Sequence, residues 1–229
     1  MMGEHTMIEF NCVTKEYHQH TALHNISFKI QTGEMVFLTG HSGAGKSTIL
    51  KLIMRIDTPT YGKIFIDNQE LSQLNPKEIP YLRRRIGMIY QNPHLLTDRS
   101  AFDNVALPLQ LQGYRYQEMK RRVHAALDKV GLLSKEKYFP DVLSSGEQQR
   151  LGIARAVVGK PEILLADEPT GNLDPDLSVD ILQLFSAFNT SGVTVLIATH
   201  DLPLIAQMPY RMITIHRGST VKQKQGEFA

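Results

Sequence analysis

The most informative stretch of this chain is Gly40-His41-Ser42-Gly43-Ala44-Gly45-Lys46-Ser47. It matches the pattern G-x-x-x-x-G-K-[ST], in which glycines let successive backbone N–H groups turn inward around phosphate oxygens. The apolar run Met35–Thr39 before it predicts a strand buried on both faces of a sheet. A helix is expected to begin at Lys46-Ser47-Thr48, with its unpaired N–H groups directed at the phosphates. The sequence therefore predicts a nucleotide-binding loop between a strand and a helix.

The residue types in this loop have distinct expected roles. Lys46 is placed to neutralise the β- and γ-phosphates of a nucleotide, and the Ser47 hydroxyl to ligate Mg²⁺. The candidate nucleotide-binding residues of the loop are Gly40, His41, Ser42, Gly43, Ala44, Gly45, Lys46, Ser47 and Thr48.

Polar residues that follow other predicted strands supply the second half of the candidate site. Residues 163–166 are an apolar run that ends in Asp167 and Glu168. We expect Asp167 to reach Mg²⁺ and Glu168 to orient or deprotonate the attacking water, although an isolated Asp-Glu pair is more often a helix cap or a solvated pair. His200 follows the run 193–199 and is expected to contact the γ-phosphate. Gln91 follows a further strand, and its amide is expected at Mg²⁺ or the water, unless it is simply solvated.

The pattern of apolar residues along the chain predicts one α/β domain with a helical insertion. Apolar side chains recur at helical spacing in residues 115–130, and a further helix is predicted at residues 177–188. Strands alternate with helices before residue 90 and after residue 150, which implies a parallel sheet interrupted by helices. The strands predicted from alternating or continuous apolar runs lie at residues 7–13, 26–30, 35–39, 62–68, 86–90, 163–166 and 193–198.

The composition excludes several classes of protein. Hydrophobic residues make up 42% and charged residues 21% of the 229 residues, as in folded globular domains. The net charge of +2 is too small to predict binding through nucleic-acid phosphates. Cys12 is the only cysteine, so no intrachain disulfide forms, which fits a reducing cytosol. No apolar run approaches the ~20 residues of a spanning helix, and no signal peptide is predicted. We therefore expect no direct membrane insertion.

These elements, in this order, resemble the ABC ATPase family across essentially the whole chain. The most specific match is Leu143–Arg150, LSSGEQQR, which is similar to the signature motif of the family. The resemblance implies a P-loop NTPase fold of ABC type, with a RecA-like mixed-sheet core, an N-terminal antiparallel β-subdomain and an inserted α-helical subdomain. A single domain would span 1–229, with 7–90 and 151–220 in the ATP-binding core and 91–150 in the helical signature subdomain.

The resemblance also assigns roles to individual residues. It places Asp167 and Glu168 in the Walker B strand, Gln91 in the Q-loop, His200 in the switch loop and residues 172–174 in the D-loop. Tyr17 falls where an aromatic residue of the family stacks on adenine, although a packed surface tyrosine is the alternative. The catalytic candidates are therefore Glu168, His200, Gln91 and Lys46, and the candidate Mg²⁺ ligands are Ser47, Gln91 and Asp167.

The signature motif implies a homodimer, because in the family it closes over the nucleotide held by the other subunit. Its expected nucleotide contacts are Ser144, Ser145, Gly146 and Glu147, with Ser144 at the γ-phosphate. Ser145 stands where glycine is usual. Serine adds a side chain at a crowded contact and disfavours a positive φ, so we expect weaker closure or slower turnover. Glu147 in place of glutamine is a milder departure.

Within the family, the chain is most similar to the cell-division branch, whose members pair with a polytopic membrane protein of FtsX type. The segments that carry this similarity are FLTGHSGAGKST, YLRRRIGMIYQNPHLLTDRSAFDNVALPL, HAALDKVGLL and LLADEPTGNLD. The resemblance implies an ATP hydrolase that is peripheral on the cytoplasmic face of the inner membrane and regulates cell-wall hydrolysis. The alternative is the ATPase subunit of a lipoprotein-release or macrolide-efflux transporter, which shares most of these motifs.

Other phosphate-loop proteins fit the sequence less well. A small-molecule kinase needs an acceptor site and has no use for a signature motif. A chromosome-organising ATPase carries long heptad coils, which this chain lacks. Residues 83–85 are three arginines, which predict a solvated face or a surface near the docking site of the membrane partner.

Overall fold

Two sheets and a group of helices form this chain, seen here in a computed structural model that describes residues 5–18 and 20–221. The strands are β1 (Thr6–Tyr17), β2 (His20–Gln31), β3 (Met35–Thr39), β4 (Tyr61–Ile66), β5 (Gln69–Glu70), β6 (Ile86–Tyr90), β7 (Ile163–Asp167), β8 (Thr194–Thr199), β9 (Arg211–His216) and β10 (Ser219–Thr220). The helices are α1 (Lys46–Ile53), α2 (Ile79–Arg84), α3 (Ala101–Leu111), α4 (Tyr116–Lys129), α5 (Ser145–Val157), α6 (Pro175–Thr190) and α7 (Leu202–Ile205).

The N-terminal sheet is antiparallel, with strand order β2-β1-β4-β5. Alternate residues of its long strands face the core. On β1, for example, Ile8, Phe10 and Val13 are buried, and Phe10 stacks on Phe28 of β2. The predicted antiparallel β-subdomain is therefore confirmed.

The central sheet has the order β10-β9-β3-β8-β7-β6, and β9, β3, β8, β7 and β6 run parallel. The β10 strand pairs antiparallel with β9, so the sheet is mixed. Successive residues of β3 enter two different cores. Val36 and Leu38 pack toward α1 and the antiparallel sheet, whereas Met35 and Phe37 pack toward the helices of the opposite face. This two-sided burial explains the nearly continuous apolar sequence of the strand.

The helical group α3, α4 and α5 packs on the second core, and the predicted helical insertion is present. The α5 helix continues to Val157, past the predicted boundary at residue 150, so a boundary there would cut a continuous helix. The α6 helix begins at Pro175, two residues before the predicted start, because the Asp174 side chain accepts a hydrogen bond from the Leu177 N–H. The ends of the predicted 1–229 domain lie outside the described residues.

No helix within residues 5–18 and 20–221 is long and apolar enough to cross a membrane.

The parallel strands β3, β7 and β8 place their carboxyl ends at one edge of the central sheet, where α1 begins.

Candidate nucleotide site

The loop before α1 has the backbone geometry of a phosphate-binding loop. Gly45 has φ 110° directly before the helix, a conformation that side-chain-bearing residues rarely adopt. A Cβ atom added at Gly45 would lie 2.6 Å from Leu23 Cδ2 and 2.8 Å from the Ala22 carbonyl oxygen. Only glycine therefore lets this loop pass beneath β2 and turn into α1.

The Lys46 side chain is nearly buried and is held by the loop itself. Its Nζ donates to the carbonyl oxygens of Gly40 at 2.7 Å and His41 at 3.3 Å. It also lies 3.3 Å from Glu168 Oε1. The loop thus holds the Lys46 ammonium group in place, close to the Glu168 carboxylate that follows β7.

The Glu168 carboxylate lies between Lys46 of the loop and His200, the residue that follows β8. Its Oε2 lies 2.9 Å from His200 Nδ1, and its backbone N–H donates to the Ala198 carbonyl at 2.8 Å. Glu168 has φ 49°, in the left-handed region. For a residue other than glycine this conformation costs on the order of 1–3 kcal/mol, and such strain concentrates at functional sites.

The Asp167 carboxyl supplies an oxygen that fits a divalent cation. Its Oδ1 is buried and has no hydrogen-bond partner among the described residues. Burial raises the pKa of Asp167, and the Glu168 charge adds to that, while the Ser47 hydroxyl and nearby lysines oppose it. Within the described residues, no three His, Cys, Asp or Glu side chains could hold a metal alone. Mg²⁺ at Asp167 and Ser47 would therefore take its other ligands from phosphates and water, as it usually does.

A cleft of about 860 Å³ brings most of the predicted site residues together. The predicted residues that line it are Tyr17, Ser42, Gly43, Ala44, Gly45, Lys46, Ser47, Thr48, Gln91, Asp167, Glu168 and His200. Gly40 and His41 contribute their carbonyl oxygens to Lys46. The cleft therefore combines a phosphate loop, two carboxylates and a histidine at one sheet edge.

The signature residues lie outside this cleft. Ser144 caps α5, and its side chain accepts the Glu147 N–H while Glu147 Oε2 accepts the Ser144 N–H at 3.0 Å, a capping box. Lys135 Nζ lies 2.5 Å from Glu147 Oε1 and holds the pKa of Glu147 below its usual range, with the Ser144 N–H adding to this. Glu147 thus stabilises the helix start, and Ser144 and Ser145 remain exposed.

The prediction that Ser145 strains the backbone by disfavouring a positive φ is wrong. Ser145 is the first residue of α5 and has no positive φ, so serine causes no backbone strain there. The crowded glycine is Gly146, where an added Cβ would lie 2.8 Å from Leu177 Cδ1. Any effect of Ser145 must therefore come from its exposed side chain.

Helix α5 also holds the segment that carries Gln91. The buried Gln149 amide donates to the Tyr90 carbonyl at 3.2 Å. The Arg155 guanidinium donates to the carbonyl oxygens of Pro93 and, at 3.0 Å, of His94. Side-chain hydrogen bonds therefore join helix α5 to the backbone on both sides of Gln91.

Several residues of the site were not predicted from the sequence. The cleft is also lined by His20, Ala22, Tyr90, Asn92 and His94. Asn92 and His94 lie one and three residues after Gln91, so their closeness to it in the chain was the available signal. His20 and Ala22 lie on β2, where no motif marks them.

The Tyr17 side chain is held by two further unpredicted residues. Its hydroxyl donates to Asp57 Oδ2 at 2.5 Å, and Lys15 Nζ donates to Asp57 Oδ1 at 2.6 Å. Lys15 Nζ also lies 4.6 Å from the centroid of the Tyr17 ring. Asp57 is 42 residues from Lys15 in the chain, and no motif connects them.

Comparison with known proteins is consistent with this geometry. Residues 23–171 match the family model described as ABC transporter. The chain is 58% identical over 213 residues to the cell division ATP-binding protein FtsE of Escherichia coli K12, covering 93% of this chain and 96% of the relative. It is 44% identical over 224 residues to FtsE of Bacillus subtilis, covering 97% and 98%.

Solved structures share the fold over almost the whole length. A dimeric bacterial ABC transporter cassette matches with TM-score 0.86 and 37% identity, covering 94% of this chain and 97% of that one. A dimeric post-hydrolysis cassette bound to ADP and Pi matches with TM-score 0.85 and 36% identity over the same shares. Together with the phosphate loop, the paired carboxylates and the signature helix, these similarities show that the chain belongs to the ABC transporter family, as an ATPase cassette.

Proposed function

We propose that this cassette is the ATP-hydrolysing subunit of a membrane complex of the cell-division type. Two copies bind Mg-ATP, close on each other and transmit the movement to an FtsX-like polytopic membrane protein, which regulates cell-wall hydrolysis. The observation that carries the ATPase part is the Glu168 carboxylate, which lies between Lys46 and His200 in the cleft. The cell-division part is supported by the identity to proteins named FtsE.

Binding rests on the phosphate loop. The N–H groups at the start of α1 face the phosphates, and Lys46 neutralises the β- and γ-phosphates. Asp167 and Ser47 are the proposed protein ligands of Mg²⁺, with the Gln91 amide beside them in the cleft. When bound, Mg²⁺ supplies positive charge at the phosphate oxygens during transfer. Tyr17 is proposed to stack on the adenine.

Hydrolysis rests on Glu168 and His200. Glu168 accepts a hydrogen bond from the attacking water, orients it toward the γ-phosphorus and takes up its proton as the water oxygen bonds to that phosphorus. The bond from the γ-phosphorus to the β–γ bridging oxygen breaks at the same time, so that ADP and phosphate are the products. His200 donates to the γ-phosphate and stabilises the charge that develops on it. The exposed Ser144 of a second copy is proposed to complete the site from the other side.

The membrane partner is proposed to dock where the core meets the helices. A groove of about 520 Å³ lies there, between α2, β6, α3 and α5. The three arginines differ in role. Arg85 is paired with Asp67 and Glu162, and Arg83 donates to the carbonyl oxygens of Met54 and Arg55. Arg83 and Arg84 both line the groove, but Arg83 is held by those two carbonyl oxygens, whereas Arg84 stacks on the exposed Tyr81 ring. Arg84 is therefore the arginine we assign to docking.

Docking to such a partner would hold this cassette peripherally on the cytoplasmic face of the inner membrane. The runner-up function is the ATPase subunit of a lipoprotein-release or macrolide-efflux transporter, in which the cleft keeps its chemistry and only the partner differs.

The test uses Glu168→Gln, which keeps the shape of the side chain and removes its charge. We expect ATP binding to persist, while turnover falls by about 100-fold or more, as for loss of a general base. ATP turnover and ATP-dependent dimerisation are measured together. Glu70→Gln, which removes a carboxylate paired with Lys63 on the antiparallel sheet and outside the cleft, is the matched control and should hydrolyse normally. Rapid hydrolysis by Glu168→Gln would refute the catalytic role.

The same variant identifies the partner. ATP-locked Glu168→Gln is captured from its native membranes, with Lys46→Ala, which should not bind ATP, as the control. Recovery of an FtsX-like protein with the first variant alone supports the cell-division role. Recovery of a lipoprotein-release or efflux permease would replace that role with transport.

A further inference from the structure

The Tyr17 side chain belongs to a closed network of three residues at the edge of the cleft. The hydroxyl of Tyr17 and the Nζ of Lys15 bind different oxygens of one carboxylate, Asp57. Lys15 Nζ also donates to the Thr58 carbonyl at 2.9 Å, and the Thr58 N–H donates to Asp57 Oδ1 at 2.8 Å. Every polar atom at the centre of this network therefore has a partner, which fixes the rotamers of all three side chains.

The protonation states reinforce this geometry. Burial, together with the hydrogen bond to Asp57 and its negative charge, raises the pKa of Tyr17 to about 12 against an opposing hydrogen bond with Thr48, so the hydroxyl stays protonated and donates. Burial alone would raise the pKa of Asp57, but the hydrogen bonds from Lys15 and Tyr17 outweigh burial and lower it. The network is therefore a pair of charge-assisted hydrogen bonds to an ionised carboxylate at neutral pH.

The network also determines how the Tyr17 ring is presented. Lys15 is 9% exposed, and its ammonium group covers one face of the ring at 4.6 Å from the centroid. A base can then stack only on the opposite face. Lys15 and Tyr17 are two residues apart on β1, where the pairing with β2 is irregular, and both side chains reach Asp57. Their contacts with Asp57 thus hold the cation over the ring.

Asp57 connects this ring to helix α1, which begins at the phosphate loop. It lies in the segment after α1, where the Asp57 N–H approaches the Lys51 carbonyl of that helix at 3.4 Å. The same helix begins at Lys46. The Tyr17 ring on the antiparallel sheet is thereby tied through Asp57 to the helix that begins at the phosphate loop.

We propose that Asp57 and Lys15 are positioning residues for the nucleotide base, which hold the Tyr17 ring at a fixed distance and orientation from the phosphate loop. The inference rests on the proposed role of Tyr17 in base stacking. It concerns the base alone, because neither residue reaches the phosphate-loop residues through the hydrogen bonds described above.

The test compares two ligands, ATP and inorganic triphosphate, because only ATP carries a base. Asp57→Asn and Lys15→Met should each weaken ATP binding by about 2- to 10-fold, the effect of losing the ordering of one or two side chains, and leave triphosphate binding unchanged. Tyr17→Ala should weaken ATP binding by about tenfold or more, again without affecting triphosphate. Titration calorimetry of each variant with both ligands gives the ratio of the two dissociation constants.

Unchanged triphosphate affinity shows that a variant is folded. The control is Glu70→Gln, which breaks the Lys63–Glu70 pair of the same sheet and should leave the ratio unaltered. If Tyr17→Ala changes the ratio and the Asp57 and Lys15 variants do not, the positioning inference is overturned while base stacking stands. If Tyr17→Ala also leaves the ratio unchanged, base stacking by Tyr17 and the inference fail together. Equal weakening of both ligands would overturn the inference, because the network would then serve the phosphate loop.

Discussion

At the scale of single residues, the cleft combines groups that the folded chain holds at a cost. Glu168 has a left-handed backbone conformation, and Asp167 Oδ1 is buried with no hydrogen-bond partner in the part of the chain that the structure describes. Sequence reasoning selected both residues because short motifs follow predicted strands. It could not select Lys15 and Asp57, since their contact depends on how β1 meets the segment after α1, and that geometry leaves no local pattern.

At Asp167 we expect stability and function to oppose each other, because the buried carboxyl that suits Mg²⁺ destabilises the fold when no cation is bound. Asp167→Asn removes a charge whose burial disfavours its ionised form, as the raised pKa of the carboxyl shows. In nucleotide-free buffer with chelator we expect the free energy of unfolding of the variant to be higher by about 1 kcal/mol, so that it unfolds at a higher temperature. Its Mg²⁺-dependent hydrolysis should be lost. Thermal unfolding with and without Mg-ATP measures both effects. Lower stability of the variant in chelator would contradict the prediction.

At the scale of elements, helix α5 has two tasks. Its first turn presents Ser144 and Ser145 at the surface, and its buried side holds the Q-loop through Gln149. The sequence showed the motif before a helix but not the length of that helix. The boundary at residue 150 followed a change of pattern, whereas α5 continues to Val157 because its apolar residues pack on the second core without interruption.

The position of Ser145 makes a specific prediction for Ser145→Gly. Removing the exposed hydroxymethyl group should let a second copy approach more closely, so we expect faster ATP hydrolysis. The helix start should lose no more than about 1 kcal/mol, the usual difference between glycine and a good helix former. Steady-state hydrolysis and thermal unfolding are the measurements, and an unchanged rate would refute the idea. Gly146→Ala, which meets Leu177, should instead destabilise the fold.

At the scale of the whole molecule, the strand order in the central sheet explains why so much could be predicted. Parallel strands place their carboxyl ends at one edge, so residues that follow β3, β7 and β8 converge although they are far apart in sequence. The predicted mixed sheet, antiparallel subdomain and helical insertion are confirmed. How the signature faces a second copy could not be derived from spacing, because it depends on the closure of two chains.

That closure can be tested by cross-linking two different variants. Exposed residues are changed to cysteine in the Glu168→Gln background with Cys12→Ser, one chain carrying Ser42→Cys in the phosphate loop and the other Ser145→Cys. We expect a cross-linked dimer only when the two chains are mixed and ATP is present. Denaturing gel electrophoresis after a short bis-maleimide reaction measures it. Cross-links within either variant alone, or without ATP, would contradict a head-to-tail closure.

The separation of the signature helix from the cleft of its own chain has a consequence for gene dosage. If each dimer shares two composite sites, one defective subunit damages both sites, since it contributes a half to each. Equal expression of an inactive and a normal copy would leave only about a quarter of the dimers intact by random pairing. Mutations in this cassette are therefore expected to be dominant in cells that also carry the normal gene.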